Sequence, residues 1–161
     1  MPYTVMLIDN EPAIPRGLMQ LIDWRACGCR VTAIAADGAE AVRQIRESRP
    51  DIIISDIRMP EMSGLELCAW VRENAPEIQI ILLTGFPDFE YAQRAIRYQV
   101  VDFVLKPTTE GSLTAAVRKA CQRLDQESRR GGGGGESLRL EQQMLLSELI
   151  FKNRHSMLYT M

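Results

Sequence analysis

Residues 51–60 read Asp-Ile-Ile-Ile-Ser-Asp-Ile-Arg-Met-Pro, and the three consecutive isoleucines at 52–54 decide the fold. A strand in which apolar and polar residues alternate has one solvated face. An unbroken apolar run is typical of a strand buried on both faces. Such strands lie inside parallel sheets that helices cover on both sides. We therefore predict a strand over residues 51–55 at the centre of a parallel sheet.

Strand and helix patterns alternate along the chain on both sides of this strand. Each short β-rich run is followed by apolar residues at helical spacing. The predicted strands are 3–8, 30–35, 51–55, 78–84 and 102–105. The predicted helices are 12–22, 39–46, 64–74, 89–96 and 113–124. Five strand–helix pairs predict a flavodoxin-like α/β fold, with five parallel strands, right-handed crossovers and helices on both faces of the sheet.

The composition is that of an ordinary globular domain with a short extension. Of 161 residues, 46% are hydrophobic and 25% are charged. Lys and Arg number 19 against 21 Asp and Glu, and the net charge of -2 argues against nucleic-acid binding through bulk charge. The apolar runs are far shorter than the roughly 18 residues that span a bilayer, and the start lacks a basic signal-peptide region. We expect a cytoplasmic protein with no membrane partner.

The four cysteines are Cys27, Cys29, Cys68 and Cys121. Their spacing fits neither a disulfide framework nor a zinc site, because only the first two are close and the lone histidine, His155, is far along the chain. We predict ordinary free thiols, buried or at the surface.

The end of the chain predicts a linker and a tail. Residues 131–135 are five consecutive glycines, which no packed element tolerates. We predict a domain over 1–125, a Gly-rich linker over 126–135 whose glycine run spans about 12 Å, and an amphipathic helical connector or tail over 136–161. Such a run is also typical of an artificial linker. The tail is too short for a helix-turn-helix pair and has no net charge, which argues against DNA binding within it.

Chemically reactive side chains follow the predicted strands. They are Asp9, Asn10, Glu11, Asp56, Thr84 and Lys106. The carboxyl ends of parallel strands share one rim, where ligands of such sheets bind. Carboxylates and carbonyls bind a hard cation such as Mg²⁺, which recruits phosphoryl oxygens. The pattern predicts that Asp56 accepts a phosphoryl group, with Thr84 and Lys106 holding its oxygens.

Each of these residues alone has an ordinary explanation. Asp9 fits a cap of the first helix, Thr84 a cap of the fourth, and Lys106 a solvated loop lysine. Acid, hydroxyl and lysine at the ends of four separate strands are much harder to attribute to chance.

Together these residues resemble the receiver domain of bacterial two-component response regulators. The resemblance rests on residues 9–11, residues 55–60 with Gly64, Thr84-Gly85 and Lys106-Pro107, and it covers roughly residues 3–125. Residues 21–24 and 82–92 resemble more narrowly the regulators that carry an AraC-type DNA-binding module after the receiver.

The resemblance implies a role for individual residues. It implies that Asp56 is the phosphoacceptor and that Lys106 contacts the phosphate. It also implies that the Thr84 hydroxyl moves toward the phosphoryl group on activation and that Phe103 is the aromatic switch residue.

The resemblance also implies a Mg²⁺ site with one departure. The implied ligands are Asp9, Asp56 and the main-chain carbonyl of Arg58. Asn10 stands where the family has a second acid, so a neutral amide replaces a carboxylate. We expect weaker Mg²⁺ binding unless Glu11 compensates.

Two functions follow from the resemblance. In the first, a sensor histidine kinase phosphorylates Asp56, and the domain, which is not itself a classical enzyme, switches a surface used for homodimerisation and transcriptional control. DNA would be bound only by an output module absent from this chain. In the second, Asn10 has made phosphorylation slow or absent, and a degenerate receiver only dimerises or docks. A flavodoxin-type enzyme or electron carrier is disfavoured, because acids after the first strand would repel the phosphate it binds there.

Overall fold

A computed structural model describes residues 1–85 and 88–130, without the side chains of Phe89 and Arg130. In this part of the chain five strands alternate with five helices, as predicted. The strands are β1 (Tyr3–Ile8), β2 (Cys29–Ala35), β3 (Ile52–Asp56), β4 (Gln79–Thr84) and β5 (Asp102–Leu105). The helices are α1 (Ala13–Leu21), α2 (Gly38–Glu47), α3 (Gly64–Asn74), α4 (Phe89–Arg97) and α5 (Glu110–Arg130).

All five strands are parallel, and their order in the sheet is β2-β1-β3-β4-β5. β3 occupies the centre, and each of its residues is buried. Ile53 packs into the core on one face, while Ile52 and Ile54 pack into the core on the other. The predicted central strand is confirmed, because consecutive side chains on a strand point to opposite faces.

Helices cover both faces of the sheet. On one face, buried residues of α2, α3 and α4 surround Met6 and Phe103. On the other face, buried residues of α1 and α5 surround Leu7 and Trp24. The predicted α/β fold with helices on both sides is therefore confirmed. Within the described residues, no helix is both long and apolar enough to cross a membrane.

Capping side chains fix where three helices begin. Asp37, Ser63 and Asp88 each accept a backbone N–H in the first turn of α2, α3 and α4. Since Asp88 caps α4, Thr84 does not, and that ordinary explanation of Thr84 is wrong.

The largest boundary difference is at α5. We predicted a helix end near Leu124 and a linker from residue 126, but α5 continues to Arg130. Residues 126–130 are Gln-Glu-Ser-Arg-Arg and contain no apolar residue that would mark a helical face. Most of these residue types nevertheless extend an established helix well. The predicted end of the helix is therefore corrected to Arg130, whereas the division into domain, linker and tail stays a prediction. The glycines at 131–135 and the predicted tail over 136–161 lie outside the described residues.

Candidate functional site

The strand order places two acidic side chains next to each other. β1 and β3 are neighbours, and the chain order reverses between them, which is where ligands bind in sheets of this kind. Asp9 directly follows β1, and Asp56 is the last residue of β3 rather than the first residue after it. Both are buried, with 4% and 9% exposure. Two carboxyl groups therefore share one sheltered position at the rim.

Lys106 approaches both carboxyl groups. Its Nζ lies 3.2 Å from Asp9 Oδ2 and 3.5 Å from Asp56 Oδ2. Its backbone N–H donates to the Thr84 carbonyl at 2.7 Å, so the end of β4 fixes the position of the lysine. The Lys106–Pro107 peptide is cis. A solvated loop lysine does not describe this residue, because its side chain is only 24% exposed.

Neighbouring groups orient Asp56. Its Oδ1 accepts the N–H of Ile57 at 2.9 Å, while Oδ2 faces Lys106. The Ser55 hydroxyl donates to the Asp56 carbonyl at 2.9 Å. No role was predicted for Ser55, although a serine in a fully buried strand needs a hydrogen-bond partner.

Burial raises the pKa of the Asp56 carboxyl above its ordinary value, and the nearby Asp9 charge raises it further. Lys106 and the Ile57 N–H act in the opposite direction. The ionised carboxylate is thus poorly solvated and faces one ammonium group. A cation bound between Asp9 and Asp56 would offset both causes of the raised pKa.

Asp9 organises the turn after β1. Its Oδ1 accepts the N–H of Glu11 at 2.9 Å, and its Oδ2 faces Lys106. The cap position of α1 belongs to Pro12, so Asp9 does not cap that helix and the ordinary explanation is wrong. The side chains of Asn10 and Glu11 are exposed beside this turn.

Thr84 and Phe103 lie on the two strands beyond β3. Asp56 pairs with Leu83, so Thr84 is one residue further along β4, and it is buried. Phe103 in β5 is buried in the core that contains Ala92 and Ala95 of α4. The ring therefore lies inward in this structure, and its role as a switch stays a prediction.

The oxygen donors at this rim fit Mg²⁺. Mg²⁺ in proteins usually takes one or two carboxylates and keeps several waters. Asp9 and Asp56 could supply two buried carboxylates, and the main-chain carbonyl of Arg58, two residues after Asp56, is the neutral oxygen that the resemblance implies. In residues 1–85 and 88–130, no group of three or more His, Cys, Asp or Glu side chains is placed to hold a metal ion. Asp9, Asp56, neutral oxygens and water are the expected ligands, and Glu11, exposed beside the turn after β1, is a further candidate.

Gly64 allows the loop after β3 to pack against Asp56. A Cβ at this position would lie 2.3 Å from the Asp56 carbonyl oxygen and 2.9 Å from Ile57 Cα, which are backbone atoms that cannot rotate away. We expect Gly64→Ala to lower the free energy of unfolding by about 2–3 kcal/mol, measured by denaturant titration. The matched control is Gly17→Ala in α1, where nothing lies within 4 Å of the added methyl group. Equal effects of the two substitutions would refute the close approach.

Comparisons with known proteins agree on one family. The family model described as the response regulator receiver domain matches residues 5–118. The uncharacterized transcriptional regulatory protein YesN of Bacillus subtilis is 35% identical over 125 residues, which are 78% of this chain and 34% of that protein. The transcriptional regulatory protein HptR of Staphylococcus aureus is 32% identical over 80% of this chain and 51% of its own length. The chain thus spans about a third to a half of these relatives.

Solved structures give the same result. The REC domain of AraT, a response regulator from Geobacillus stearothermophilus, superposes with a TM-score of 0.74 at 40% identity, covering 80% of this chain and 99% of that one. A two component transcriptional regulator AraC from Clostridium phytofermentans superposes with a TM-score of 0.73 at 27% identity, covering 78% and 98%. The predicted resemblance is confirmed, and the chain belongs to the response regulator receiver domain family.

Proposed function

We propose that this domain accepts a phosphoryl group on Asp56 from a sensor histidine kinase and thereby controls a transcriptional output. The observation that carries the proposal is the position of Lys106 Nζ, 3.2 Å from Asp9 and 3.5 Å from Asp56 at neighbouring strand ends. Two carboxylates and one ammonium group leave a net negative charge in a sheltered cleft. Asp9 and Asp56 would hold a divalent cation that offsets this charge, and Lys106 provides a second positive group for the phosphoryl oxygens.

In the proposed transfer, Asp56 Oδ2 attacks phosphorus, the bond from phosphorus to the kinase histidine nitrogen breaks, and an acyl phosphate forms. Asp9, Asp56 and the Arg58 carbonyl would hold Mg²⁺, which would supply positive charge beside the phosphoryl oxygens. Lys106 stabilises the same charge from the β5 side. Thr84, one residue beyond the β-partner of Asp56, supplies a hydroxyl for one of these oxygens.

The output lies beyond the described residues. Because the chain spans only part of its relatives, we propose that DNA is bound by a module outside it. Phosphorylation would change the face formed by α4, β5 and α5, and this face would then pair with a second copy of the chain. Phe103 of β5 packs in the same core as Ala92 and Ala95 of α4, which supports a role in coupling the site to that face.

Asn10 favours a second candidate function, a degenerate receiver that docks or dimerises without phosphorylation. It removes one carboxylate from the rim, but Asp9 and Asp56 still provide the two that Mg²⁺ commonly uses. Phosphorylation is therefore the better-supported function.

The test is incubation of the full chain with acetyl phosphate and Mg²⁺, followed by intact mass measurement. We expect a gain of one phosphoryl group that disappears when EDTA is added first. No gain with Mg²⁺ present would favour the degenerate receiver.

Asn10→Asp should tighten Mg²⁺ binding by roughly tenfold, because it adds a negative charge beside the cation position. Isothermal titration calorimetry measures this change directly. The companion variant is Glu11→Gln. If Asn10→Asp has no effect while Glu11→Gln weakens binding, Glu11 already supplies the missing ligand.

A further inference from the structure

Two cysteines that are 92 residues apart in sequence meet at the edge of the sheet. Cys29 is the first residue of β2, Cys121 lies in α5, and their Sγ atoms are 3.4 Å apart. Both thiols also lie near the Cys27 carbonyl oxygen, at 3.8 Å and 3.7 Å. All four cysteines of the chain are free thiols. The pair lies at the amino end of the strands, whereas Asp56 lies at the carboxyl end.

The backbone around the pair is held in place. The Cys29 N–H donates to the Trp24 carbonyl at 2.9 Å, and the preceding Gly28 has a φ of 76°, a left-handed conformation that favours glycine. On the helix side, the Tyr3 hydroxyl hydrogen-bonds to Asp125, one turn after Cys121. These contacts hold the backbone at Cys29 and connect β1 to α5 one turn after Cys121.

The two thiols differ in accessibility and in acidity. Cys29 is 3% exposed, whereas Cys121 is partly exposed. The hydrogen bond between them and burial raise the pKa of Cys29. The same hydrogen bond lowers the pKa of Cys121, against burial and the charges of Asp125 and Asp51. Cys121 is therefore the more readily ionised and the more accessible of the two thiols, and the thiolate is the reactive form.

We propose that Cys29 and Cys121 form an oxidisable thiol pair that hydrogen peroxide converts into a disulfide between β2 and α5. The Cys121 thiolate attacks one peroxide oxygen, the O–O bond breaks, and the released hydroxide takes up a proton and leaves as water. The resulting sulfenic acid is then attacked by the Cys29 sulfur. The S–S bond forms, the S–O bond breaks, and a second water leaves with the Cys29 proton. The two sulfurs supply the two electrons that reduce the peroxide.

The proposed disulfide fastens α5 to the edge of the sheet. It closes a long loop of the chain, which restricts the unfolded state and raises thermal stability. It does not involve the rim at the other end of the strands, so phosphorylation of Asp56 should not be required for it.

The test uses the full chain, treated with hydrogen peroxide, denatured, and blocked with N-ethylmaleimide before intact mass measurement. The untreated chain should carry four adducts, one for each of its 4 cysteines. After oxidation two fewer thiols should react, and dithiothreitol should restore them. Tryptic mapping should join the peptide containing Cys29 to the peptide containing Cys121.

Variants identify the partners. Trypsin leaves Cys27 and Cys29 on one peptide, so Cys27→Ser should keep the cross-link and Cys121→Ser should lose it. Cys121 is partly exposed, so this variant tests the pair even if Cys29→Ser fails to fold. Asp56→Asn should cross-link like wild type, which separates this proposal from the proposed function.

Oxidation should raise the Tm of the wild-type chain by roughly 5–15 °C and leave that of Cys121→Ser unchanged. A full set of reactive thiols after peroxide treatment, or a cross-link through Cys27, would overturn the pairing. A cross-link between Cys29 and Cys121 that leaves Tm unchanged would overturn the fastening of α5.

Discussion

Asp56→Asn is expected to abolish phosphoryl incorporation, with a fall in rate of at least about a thousandfold, because the neutral amide is a poor nucleophile. We do not expect Asp9 to substitute for it, because the Asp9 side chain is only 3% exposed whereas that of Asp56 is 13% exposed. The measurement is the intact mass of wild type and variant after equal exposure to acetyl phosphate and Mg²⁺. A variant that still gains one phosphoryl group would show that another residue is the acceptor.

The thermal stability of the same variant provides its control. Burial raises the pKa of Asp56 in the folded chain, so the carboxylate is less stable there than in the unfolded chain. Protonated Asp56 therefore makes its full contribution to stability at pH values below the pKa of this carboxyl in the unfolded chain. The contribution is lost as pH rises through its higher pKa in the folded chain. Asp56→Asn removes the unfavourable charge, and its Tm at neutral pH without Mg²⁺ should equal or exceed that of wild type. A clearly lower Tm would mean that the loss of phosphorylation reflects damage to the fold.

Lys106→Gln is expected to slow phosphorylation by about a hundredfold to a thousandfold, which is the usual cost of removing one group that stabilises developing oxygen charge. Lys106 Nζ lies within 3.5 Å of both Asp9 and Asp56, and its backbone N–H is held by the Thr84 carbonyl. To measure the rate, samples of the reaction between the chain and acetyl phosphate are quenched at intervals. Intact mass spectrometry then gives the phosphorylated fraction of each sample.

Lys119→Gln is the matched control for Lys106→Gln. Lys119 Nζ lies 3.5 Å from Asp102 Oδ2, the same separation as between Lys106 and Asp56, but this pair involves α5 and the start of β5. The control should be phosphorylated at the wild-type rate. If both variants lose rate equally, the effect comes from lost charge on the domain and not from the position of Lys106.

Much of the fold could be predicted because its signals are local. Three successive isoleucines require apolar surroundings on both faces, so β3 had to lie inside a sheet. Once the strands are assigned, the parallel sheet brings Asp9, Asp56 and Lys106 to one rim, since each follows or ends a strand. The end of α5 was missed because residues 126–130 have no apolar side chain to mark a helical face.

Other features depend on tertiary placement and have no local signal. The separation of Lys106 from the two acids, and the burial that raises the Asp56 pKa, follow from how β1, β3 and β5 align. The contact between Cys29 and Cys121 depends on the position of α5 relative to β2, whereas along the sequence Cys29 is close only to Cys27. The role of Asn10 depends on the position of a cation, which the order of residues alone does not give.

The chemical identity of the phosphorylated residue is the most direct test of the proposed function. The full chain is phosphorylated with acetyl phosphate and Mg²⁺ and then treated with sodium borohydride, which reduces the acyl phosphate of an aspartate to homoserine. Peptide mass spectrometry locates the reduced position. We predict homoserine at position 56 and an unmodified Asp9. Homoserine at position 9, or a phosphoryl group that survives borohydride on a hydroxyl such as that of Thr84, would contradict the assignment of Asp56 as the phosphoacceptor.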